Sequence, residues 1–301
     1  IVSSGRPYHM QSHTNSTNAL VTLPIGERFH VMQCDKLQPV LVSQQTVGKI
    51  SRLVADSSLS ITIVTHDKNL ISLFHRTRPI QSLPKLASRE WSTVDMLHLG
   101  KIKVDMTGEK EGTTENAVVV AVVLGRYQSD DEEDDIPVQG DESSDEEDLD
   151  SDDEEVECRG QVVTLIATRT SIRIQKRIQL TTLPMFQPTV AIHPSTYLNK
   201  ILLGGTDLSL VLLNVRTAKV IHVFKCLTAS SPNVAVTALE QSPAVDTIAV
   251  GMSNGNVHLI NLRLDKELFT LKHKAVSITS LSFRTDGSAM RYGIAPLAVG
   301  R

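Results

Sequence analysis

The residue types that carry enzyme chemistry occur in this sequence, but their spacing matches no catalytic motif. The 301 residues include ten histidines and three cysteines. There is no G-x-S-x-G elbow, no H-E-x-x-H pair, no phosphate-binding P-loop and no cysteine pair at zinc spacing. His193, which precedes Pro194, and His273 are expected to be hydrogen-bonding turn residues, with Asp286 as the kind of partner that such a histidine binds. The sequence therefore predicts no catalytic residue, no metal, no cofactor and no small-molecule substrate.

Serines followed by acidic runs are a second candidate site for chemistry. SDDEEDD (129–135), SSDEED (143–148) and SDDEE (151–155) each place an acidic residue three positions after a serine. This spacing is the preference of an acidophilic kinase resembling casein kinase two. We therefore predict phosphorylation at Ser129, Ser143, Ser144 and Ser151, where each phosphate would add about −1.5 to −2 charges. The alternative is a solvated acidic spacer that keeps a basic protein soluble.

The acidic segment and the rest of the chain carry opposite charges. Positions 130–157 hold 18 Asp and Glu and no Lys or Arg, which leaves 16 acidic and 30 basic residues elsewhere, a net charge of +14. The segment 129–157 has too few apolar residues to fold and is predicted to be a disordered insertion. A basic body attracts polyanions, RNA above all, through phosphate neutralisation. Lysines that serve only solubility are the alternative explanation.

The basic residues are dispersed, and no aromatic residues interleave them as they do where single-stranded bases stack. RNA contacts are therefore expected to be directed at the backbone, with salt sensitivity and little sequence preference. The candidates for these contacts are Arg173, Lys176, Arg177, Arg216 and Lys219. In SIRIQKR (171–177), strand alternation predicts Arg173 and Gln175 on one face and Ile172, Ile174 and Lys176 on the other.

Short β-branched segments bounded by Gly, Asn, Asp or Pro predict the strands that would position these residues. They form groups over 19–43, 49–83, 93–177, 189–225 and 234–272, and a sixth group begins at 277. Equivalent positions lie 41 residues apart at Phe29 and Leu70, and 47 apart at Val211 and His258. A period of about 40–45 residues with four strands is typical of a WD-repeat β-propeller. We predict an all-β propeller over 1–301, with about six incomplete blades and a ring completed by sequence beyond residue 301.

Local features refine this fold prediction. Two polar stretches, 103–115 and the acidic 129–157, interrupt the third group. Asn254-Gly255 and Asp286-Gly287 predict type I′ hairpin turns, which need positive φ at both central residues, and Gly204-Gly205 predicts a similar break.

The cysteines and the hydropathy pattern indicate the compartment. Cys34, Cys158 and Cys226 lie far apart, which argues against a disulfide framework and favours a reducing compartment. No apolar run approaches the roughly 20 residues that span a bilayer, so no membrane segment is predicted. The first residues show no apolar region of the kind that a secretory signal contains.

Several long strings resemble one family of WD-repeat proteins. These are HPSTYLNKILLG (193–204), TALEQSPAVDTIAVGMSNGNVHLINLR (237–263), ITSLSFRTDG (278–287) and the earlier RFHVMQCDKLQPVLVS (28–43). They are similar to the U-three small nucleolar RNA-associated WD-repeat proteins of the B subcomplex of the small-subunit processome. The resemblance implies a tandem double propeller followed by a helical C-terminal domain, with this chain supplying most of the first propeller, truncated at its C-terminal end.

The resemblance also implies a function and a location. Such proteins are non-catalytic scaffolds of the nucleolus. They lie beside other B-subcomplex subunits, pre-ribosomal RNA and U-three small nucleolar RNA, and they support ribosomal RNA processing. The alternative is a WD-repeat adaptor of another complex, such as a ubiquitin-ligase adaptor or a coat subunit that reads a peptide motif. An enzyme has no supporting constellation in the sequence.

Overall fold

The computed structural model of the chain describes residues 20–33, 36, 38–46, 48–66, 69–83, 86–88, 90–105, 114–126, 158–227, 234–244, 246–272, 276–283 and 297–300. These residues form strands and turns, with no helix among them. The predictions at Ser129, Ser143, Ser144, Ser151, Cys34, His273 and Asp286-Gly287 lie outside the described residues.

Within the described residues, the strands form six antiparallel sheets in chain order. Sheet 1 contains β1 (Leu20–Ile25), β2 (Arg28–Gln33) and β3 (Gln38–Val42); sheet 2 contains β4 (Ile50–Asp56), β5 (Ile61–His66), β6 (Ile71–His75) and β7 (Arg78–Leu83); sheet 3 contains β8 (Trp91–Asp105), β9 (Thr114–Arg126), β10 (Gly160–Ala167) and β11 (Ile172–Gln179). Sheet 4 contains β12 (Pro188–Ile192), β13 (Lys200–Gly205), β14 (Leu210–Asn214) and β15 (Lys219–Val223); sheet 5 contains β16 (Val236–Gln241), β17 (Thr247–Met252), β18 (Asn256–Asn261) and β19 (Lys266–Lys272); sheet 6 contains β20 (Ser280–Phe283) and β21 (Leu297–Gly300).

The sheets stack side by side as propeller blades. The first strands β4, β8, β12, β16 and β20 contact one another in succession, so they lie innermost, and the fourth strands β7, β11, β15 and β19 lie on the outer rim. The described strands do not close into a ring. The predicted all-β propeller is confirmed, whereas completion of the ring by sequence beyond residue 301 stays a prediction.

The core lies between neighbouring sheets rather than inside any one of them. The middle strands β5 and β10 are buried along their whole length because sheets pack on both of their faces. Outer strands such as β11 alternate between buried and exposed side chains. One apolar cluster joins sheets 2 and 3, another joins sheets 3 and 4, and a third joins sheets 4 and 5.

The turns between strands repeat with the spacing seen in the sequence. Sheets 4 and 5 place residues of positive φ at three turn positions that are each 47 residues apart. The pairs are Asn199 (57°) and Asp246 (65°), Leu208 (64°) and Gly255 (86°), and Ala218 (59°) and Asp265 (47°). The backbone therefore reproduces the separation of Val211 and His258.

Two of the predicted turns were wrong. At Asn254-Gly255 only Gly255 has positive φ, and its N–H donates to the Met252 carbonyl at 3.2 Å, so the hairpin is not a type I′ turn. Gly204 lies within strand β13 instead of breaking it. A Cβ on Gly204 would lie 2.5 Å from Val236 Cγ1 of the next sheet, so close packing between sheets requires this glycine.

The two interruptions of the third group both connect strands of sheet 3. The gap predicted at 103–115 was too wide, because β8 and β9 stay paired out to Asp105 opposite Thr114. The acidic segment joins β9 to β10, which are neighbours: the Arg126 N–H donates to the Arg159 carbonyl at 3.0 Å. The disorder predicted for 129–157 stays a prediction.

The described part of the chain contains no group of three or more His, Cys, Asp or Glu that could hold a metal ion. Cys158 and Cys226 are free thiols. Among the same residues, no helix is long and apolar enough to cross a membrane.

Candidate nucleic-acid interface

The basic strand β11 on the outer rim contains a β-bulge. Its register on β10 runs from Ile174 opposite Leu165 to Lys176 opposite Thr164, which leaves Gln175 without a cross-strand partner. An extra residue of this kind reverses the faces on which the following side chains lie.

The bulge divides the side chains of β11 between the two neighbouring sheets. Ile172 packs in the cluster between sheets 2 and 3, whereas Ile178 packs in the cluster between sheets 3 and 4. Lys176 lies opposite Thr164, on the sheet 4 side with Ile178. The predicted grouping of Lys176 with Ile172 and Ile174 was therefore wrong, because simple alternation does not include the bulge at Gln175.

Three of the five predicted RNA-contact residues lie at the junction of sheets 3 and 4. Arg173 lies opposite Ile166 and therefore on the same face as Lys176. The Lys176 Nζ donates to the backbone carbonyl of Arg216 at 3.4 Å, which brings β11 to the turn before β15. We call Arg173, Lys176 and Arg216 the rim cluster.

The turn that carries Arg216 is shaped by its own sequence. The Asn214 Oδ1 accepts hydrogen bonds from the N–H groups of Arg216, at 3.0 Å, and Thr217, at 3.1 Å. Asparagine favours turns of this type because its side chain replaces backbone partners. Arg216 is consequently held on the exposed rim.

The other two predicted residues do not join the rim cluster. The Arg177 Nη1 donates to the carbonyl of Leu86, on the sheet 2 side of β11, so this guanidinium helps to hold a linker between sheets. Lys219 lies opposite Asn214, whereas its neighbour Val220 packs in the cluster between sheets 3 and 4. Lys219 therefore points toward sheet 5.

The rim cluster can bind phosphate but shows no means of reading bases. Arg173 and Arg216 are exposed, and β11 carries three basic residues and no acidic one. Guanidinium and ammonium groups neutralise phosphate oxygens without regard to sequence. Contacts here would position an RNA backbone.

Sequence reasoning missed a buried charged network between sheets 2 and 3. The Asp56 Oδ1 accepts hydrogen bonds from Ser58 Oγ (2.6 Å) and the Leu59 N–H (2.9 Å). The Asp56 Oδ2 lies 3.2 Å from both His98 Nε2 and Lys101 Nζ of β8. Burial acts to raise the pKa of Asp56, but these hydrogen bonds and the Lys101 charge outweigh it and lower the pKa to about 2. Burial is the largest effect on His98 and lowers its pKa, so the imidazole is neutral at pH 7 and its Nε2–H donates.

A second missed network joins sheets 4 and 5 at the rim. The Asp265 carboxylate accepts from His222 Nε2 at 2.9 Å and from the N–H groups of Lys225 and Cys226 at 3.1 Å. Burial would raise the pKa of Asp265, but these donors lower it to about 2. Burial, followed by the hydrogen bond and charge of Asp265, raises the pKa of the Cys226 thiol to about 12. The thiol is therefore protonated and unreactive near neutral pH.

Each of these networks joins one sheet to the next. The predicted turn histidine, His193, forms a hydrogen bond within its own loop: its Nδ1–H donates to the Lys200 carbonyl at 2.7 Å. A spacing of 42 residues between Asp56 and His98 is close to the repeat period, which is the signal that could have found the first network.

The comparison with known families shows which propeller this chain resembles. Residues 156–300 match the first β-propeller of the WDR36/Utp21 proteins. These residues, a little under half of the chain, are therefore similar to the first propeller of the WDR36/Utp21 family. The match covers the strings at 193–204, 237–263 and 278–287, so the resemblance inferred from them is confirmed; the string at 28–43 lies outside it.

Individual relatives of the WDR36/Utp21 propeller cover a third of this chain. Human "WD repeat-containing protein 36" is 44% identical over 103 residues, which is 34% of this chain and 11% of the relative. The "U3 small nucleolar RNA-associated protein 21 homolog" of Schizosaccharomyces pombe is 40% identical over 100 residues, or 33% and 10%. The Saccharomyces cerevisiae "U3 small nucleolar RNA-associated protein 21" is 39% identical over 97 residues, or 32% and 10%. The aligned segments thus span about a tenth of each relative.

Proposed function

We propose that this chain is a non-catalytic scaffold element that acts in small-ribosomal-subunit biogenesis in the nucleolus. The observation that carries the proposal is the match of residues 156–300 to the WDR36/Utp21 propeller, together with relatives named for association with U3 small nucleolar RNA. The Asp56 and Asp265 carboxylates agree with this role, because each accepts hydrogen bonds that join one sheet to the next. The propeller would organise other processome B-subcomplex subunits and support pre-ribosomal RNA processing.

The rim cluster would touch the phosphate backbone of pre-ribosomal RNA or U3 RNA. Arg173 and Arg216 are exposed, and the Lys176 Nζ donates to the Arg216 backbone carbonyl at 3.4 Å. Arg177 would contribute less than predicted because its guanidinium already binds the Leu86 carbonyl. Lys219 would contribute less because it points toward sheet 5.

Charge reversal tests the RNA contact. We expect Arg173→Glu with Lys176→Glu to weaken RNA binding and to reduce the slope of log affinity against log salt by about 2, one for each lost phosphate contact. The matched control is Lys266→Glu with Lys272→Glu on β19, which changes the net charge equally on an exposed outer strand. Affinities are measured with a pre-ribosomal RNA fragment at several salt concentrations. Equal weakening by both pairs would mean that net charge, and no particular surface, attracts the RNA.

Purification of the natural tagged protein tests the scaffold role itself. We expect small-subunit processome subunits and U3 RNA to co-purify and the protein to concentrate in the nucleolus. Recovery of an unrelated set of proteins without precursor RNA would favour the adaptor of another complex. The two tests are independent of each other. A scaffold that holds only proteins would still co-purify with processome subunits, but charge reversal would not change its RNA binding.

The acidic segment adds a regulatory proposal. Phosphorylation of Ser129, Ser143, Ser144 and Ser151 would increase the negative charge of a segment that could compete with RNA for the basic surface or engage basic protein partners. Mass spectrometry of the protein from growing cells checks this. Unmodified serines would remove the proposal.

A further inference from the structure

The loops that join the third and fourth strands of sheets 3, 4 and 5 are equal in length and repeat every 47 residues. They run over 168–171, 215–218 and 262–265. In each loop the first residue is buried, the second is an exposed arginine and the third is exposed. The arginines are Arg169, Arg216 and Arg263, and the third residues are Thr170, Thr217 and Leu264. Leu264, which is 66% exposed, thus occupies a position that the other two blades leave polar.

A second exposed leucine lies in the turn between the first and second strands of sheet 4. Leu198 is 78% exposed. The corresponding turn of sheet 2 also contains a leucine, Leu59, but that side chain is 5% exposed and packs in the cluster between sheets 2 and 3. The leucine of sheet 4 therefore contributes no comparable apolar contact to the stack of sheets.

The turns that carry Leu198 and Leu264 lie at the same end of the blades and meet at Asp246. Antiparallel strands reverse direction in succession, which places the first-to-second and third-to-fourth connections at one end. The hydroxyl of Tyr197 donates to the Asp246 Oδ1 at 2.9 Å, and the Leu262 N–H donates to the Asp246 carbonyl at 2.7 Å. A single exposed leucine is ordinary on a protein surface, whereas two on joined turns indicate a docking surface.

Sheet 5 holds the turn of sheet 4 in place. The Gln241 Oε1 accepts a hydrogen bond from the Ser195 N–H at 2.7 Å, and the Gln241 Nε2 donates to the Thr196 hydroxyl at 3.2 Å. The Lys200 Nζ lies 5.4 Å from the centre of the Tyr197 ring. A surface that is ordered in advance loses little conformational entropy when a ligand binds.

The charges at these turns favour a negatively charged ligand. Arg263 and Lys266 are exposed. The three joined turns contain two carboxylates, and both already accept hydrogen bonds. Asp246 binds the tyrosine hydroxyl, and Asp265 binds a histidine and two backbone N–H groups that follow the third strand of sheet 4. The basic side chains are therefore left to pair with acidic groups of a ligand.

We propose that Tyr197, Leu198, Arg263 and Leu264, called the leucine surface, dock a segment of a partner protein in which aspartate or glutamate residues flank an aliphatic residue. The two leucines would bury the aliphatic side chain, and Arg263 would pair with a carboxylate. Exposed leucines favour a protein over RNA, because the phosphate backbone binds through charge rather than through apolar contact. The proposal deepens the scaffold role and rests on it only in requiring that the propeller bind proteins.

Fluorescence anisotropy with a defined peptide tests the leucine surface. The probe is a short fluorescein-labelled peptide in which aspartate and glutamate flank two leucines, and it is titrated with the natural protein. The variant is Leu198→Ser with Leu264→Thr, which restores the threonine found in sheets 3 and 4. We expect this double variant to bind the peptide at least about tenfold more weakly, because both apolar contacts are lost.

Met185→Ser is the matched control. Met185 is also 66% exposed, but it lies in the connection between sheets 3 and 4, at the opposite end of the blades. This variant should bind the peptide as the natural protein does. Arg263→Gln should weaken binding of the acidic peptide, and it should have no effect on a peptide with asparagine and glutamine in place of the acidic residues.

Three outcomes would overturn the proposal. They are equal peptide affinity, or none, for the natural protein and the double leucine variant; equal weakening by Met185→Ser; and loss of RNA binding instead of peptide binding in the leucine variant. If that variant fails to fold, a photo-crosslinking amino acid at position 198 of the natural protein decides. We expect it to crosslink an acidic, leucine-containing protein segment, and a crosslink to RNA would contradict the proposal.

The peptide assay contains no processome subunit. Its failure would therefore remove the leucine surface and leave the scaffold role untouched, because co-purification with the processome tests that role separately.

Discussion

Replacing Asp56 by asparagine is expected to loosen the junction of sheets 2 and 3 by a calculable amount. The Asp56 side chain is 3% exposed, and its carboxylate binds Ser58, the Leu59 N–H, His98 and Lys101. A carboxyl pKa lowered from 3.8 to about 2 corresponds to roughly 2 kcal/mol of stability at neutral pH. Solvent screens the half-exposed Lys101, so we expect Asp56→Asn to lower the free energy of unfolding by about 1–2 kcal/mol.

The pH dependence has a definite sign. Because the pKa of Asp56 is lower in the folded protein, its contribution is complete above about pH 4 and is lost as the pH falls toward 2. The difference between wild type and Asp56→Asn should therefore shrink between pH 4 and pH 2. His98 is neutral above its lowered pKa and does not reverse this trend.

Urea unfolding followed by tryptophan fluorescence measures this effect. The single tryptophan, Trp91, begins β8, the strand that also carries His98 and Lys101. Asp207→Asn is the control, because Asp207 is exposed and accepts hydrogen bonds from Ser209 within its own turn. Equal stability of wild type and Asp56→Asn at pH 7, or a difference that persists unchanged at pH 2, would refute the reasoning.

Three further predictions concern packing, backbone and thiol chemistry. Gly204→Ala should lower the free energy of unfolding by about 1–3 kcal/mol, because the added Cβ would lie 2.5 Å from a valine of the next sheet. The control is Gly48→Ala, whose Cβ meets nothing within 4 Å and should change the free energy of unfolding little. Urea unfolding of both variants measures the difference. Ala218→Gly should raise the free energy of unfolding by roughly 0.5–1 kcal/mol, since φ is 59° there, and an unchanged or lower urea midpoint contradicts this. The Cys226 thiol should be alkylated slowly at pH 8, because burial and Asp265 raise the pKa of this thiol to about 12. Alkylation should be faster in the Asp265→Asn variant. Equal alkylation rates in the two proteins, measured by mass spectrometry, would exclude an effect of Asp265 on the thiol.

The repeat architecture could be predicted because it is written into local patterns. Strand-forming segments, turn residues and a 47-residue spacing depend on residues near one another in sequence, and the structure reproduces that spacing at three turn positions. The long strings within 156–300 also carried the resemblance to the WDR36/Utp21 propeller. The exposed positions of Arg173 and Arg216 on the rim follow from the same periodicity.

The sequence by itself thus determined the fold class, the order of the blades, the excess of basic charge outside the acidic segment and the resemblance to the WDR36/Utp21 propeller. Tertiary structure alone decided which side chains meet. The bulge at Gln175 moved Lys176 to the sheet 4 side, and the stacking of sheets brought Asp56 to His98 and made Gly204 a packing residue. There are two physical reasons. A one-residue change in register reverses the faces of a strand. Contacts between blades also join residues about 40–50 positions apart, and the local sequence pattern does not specify such contacts.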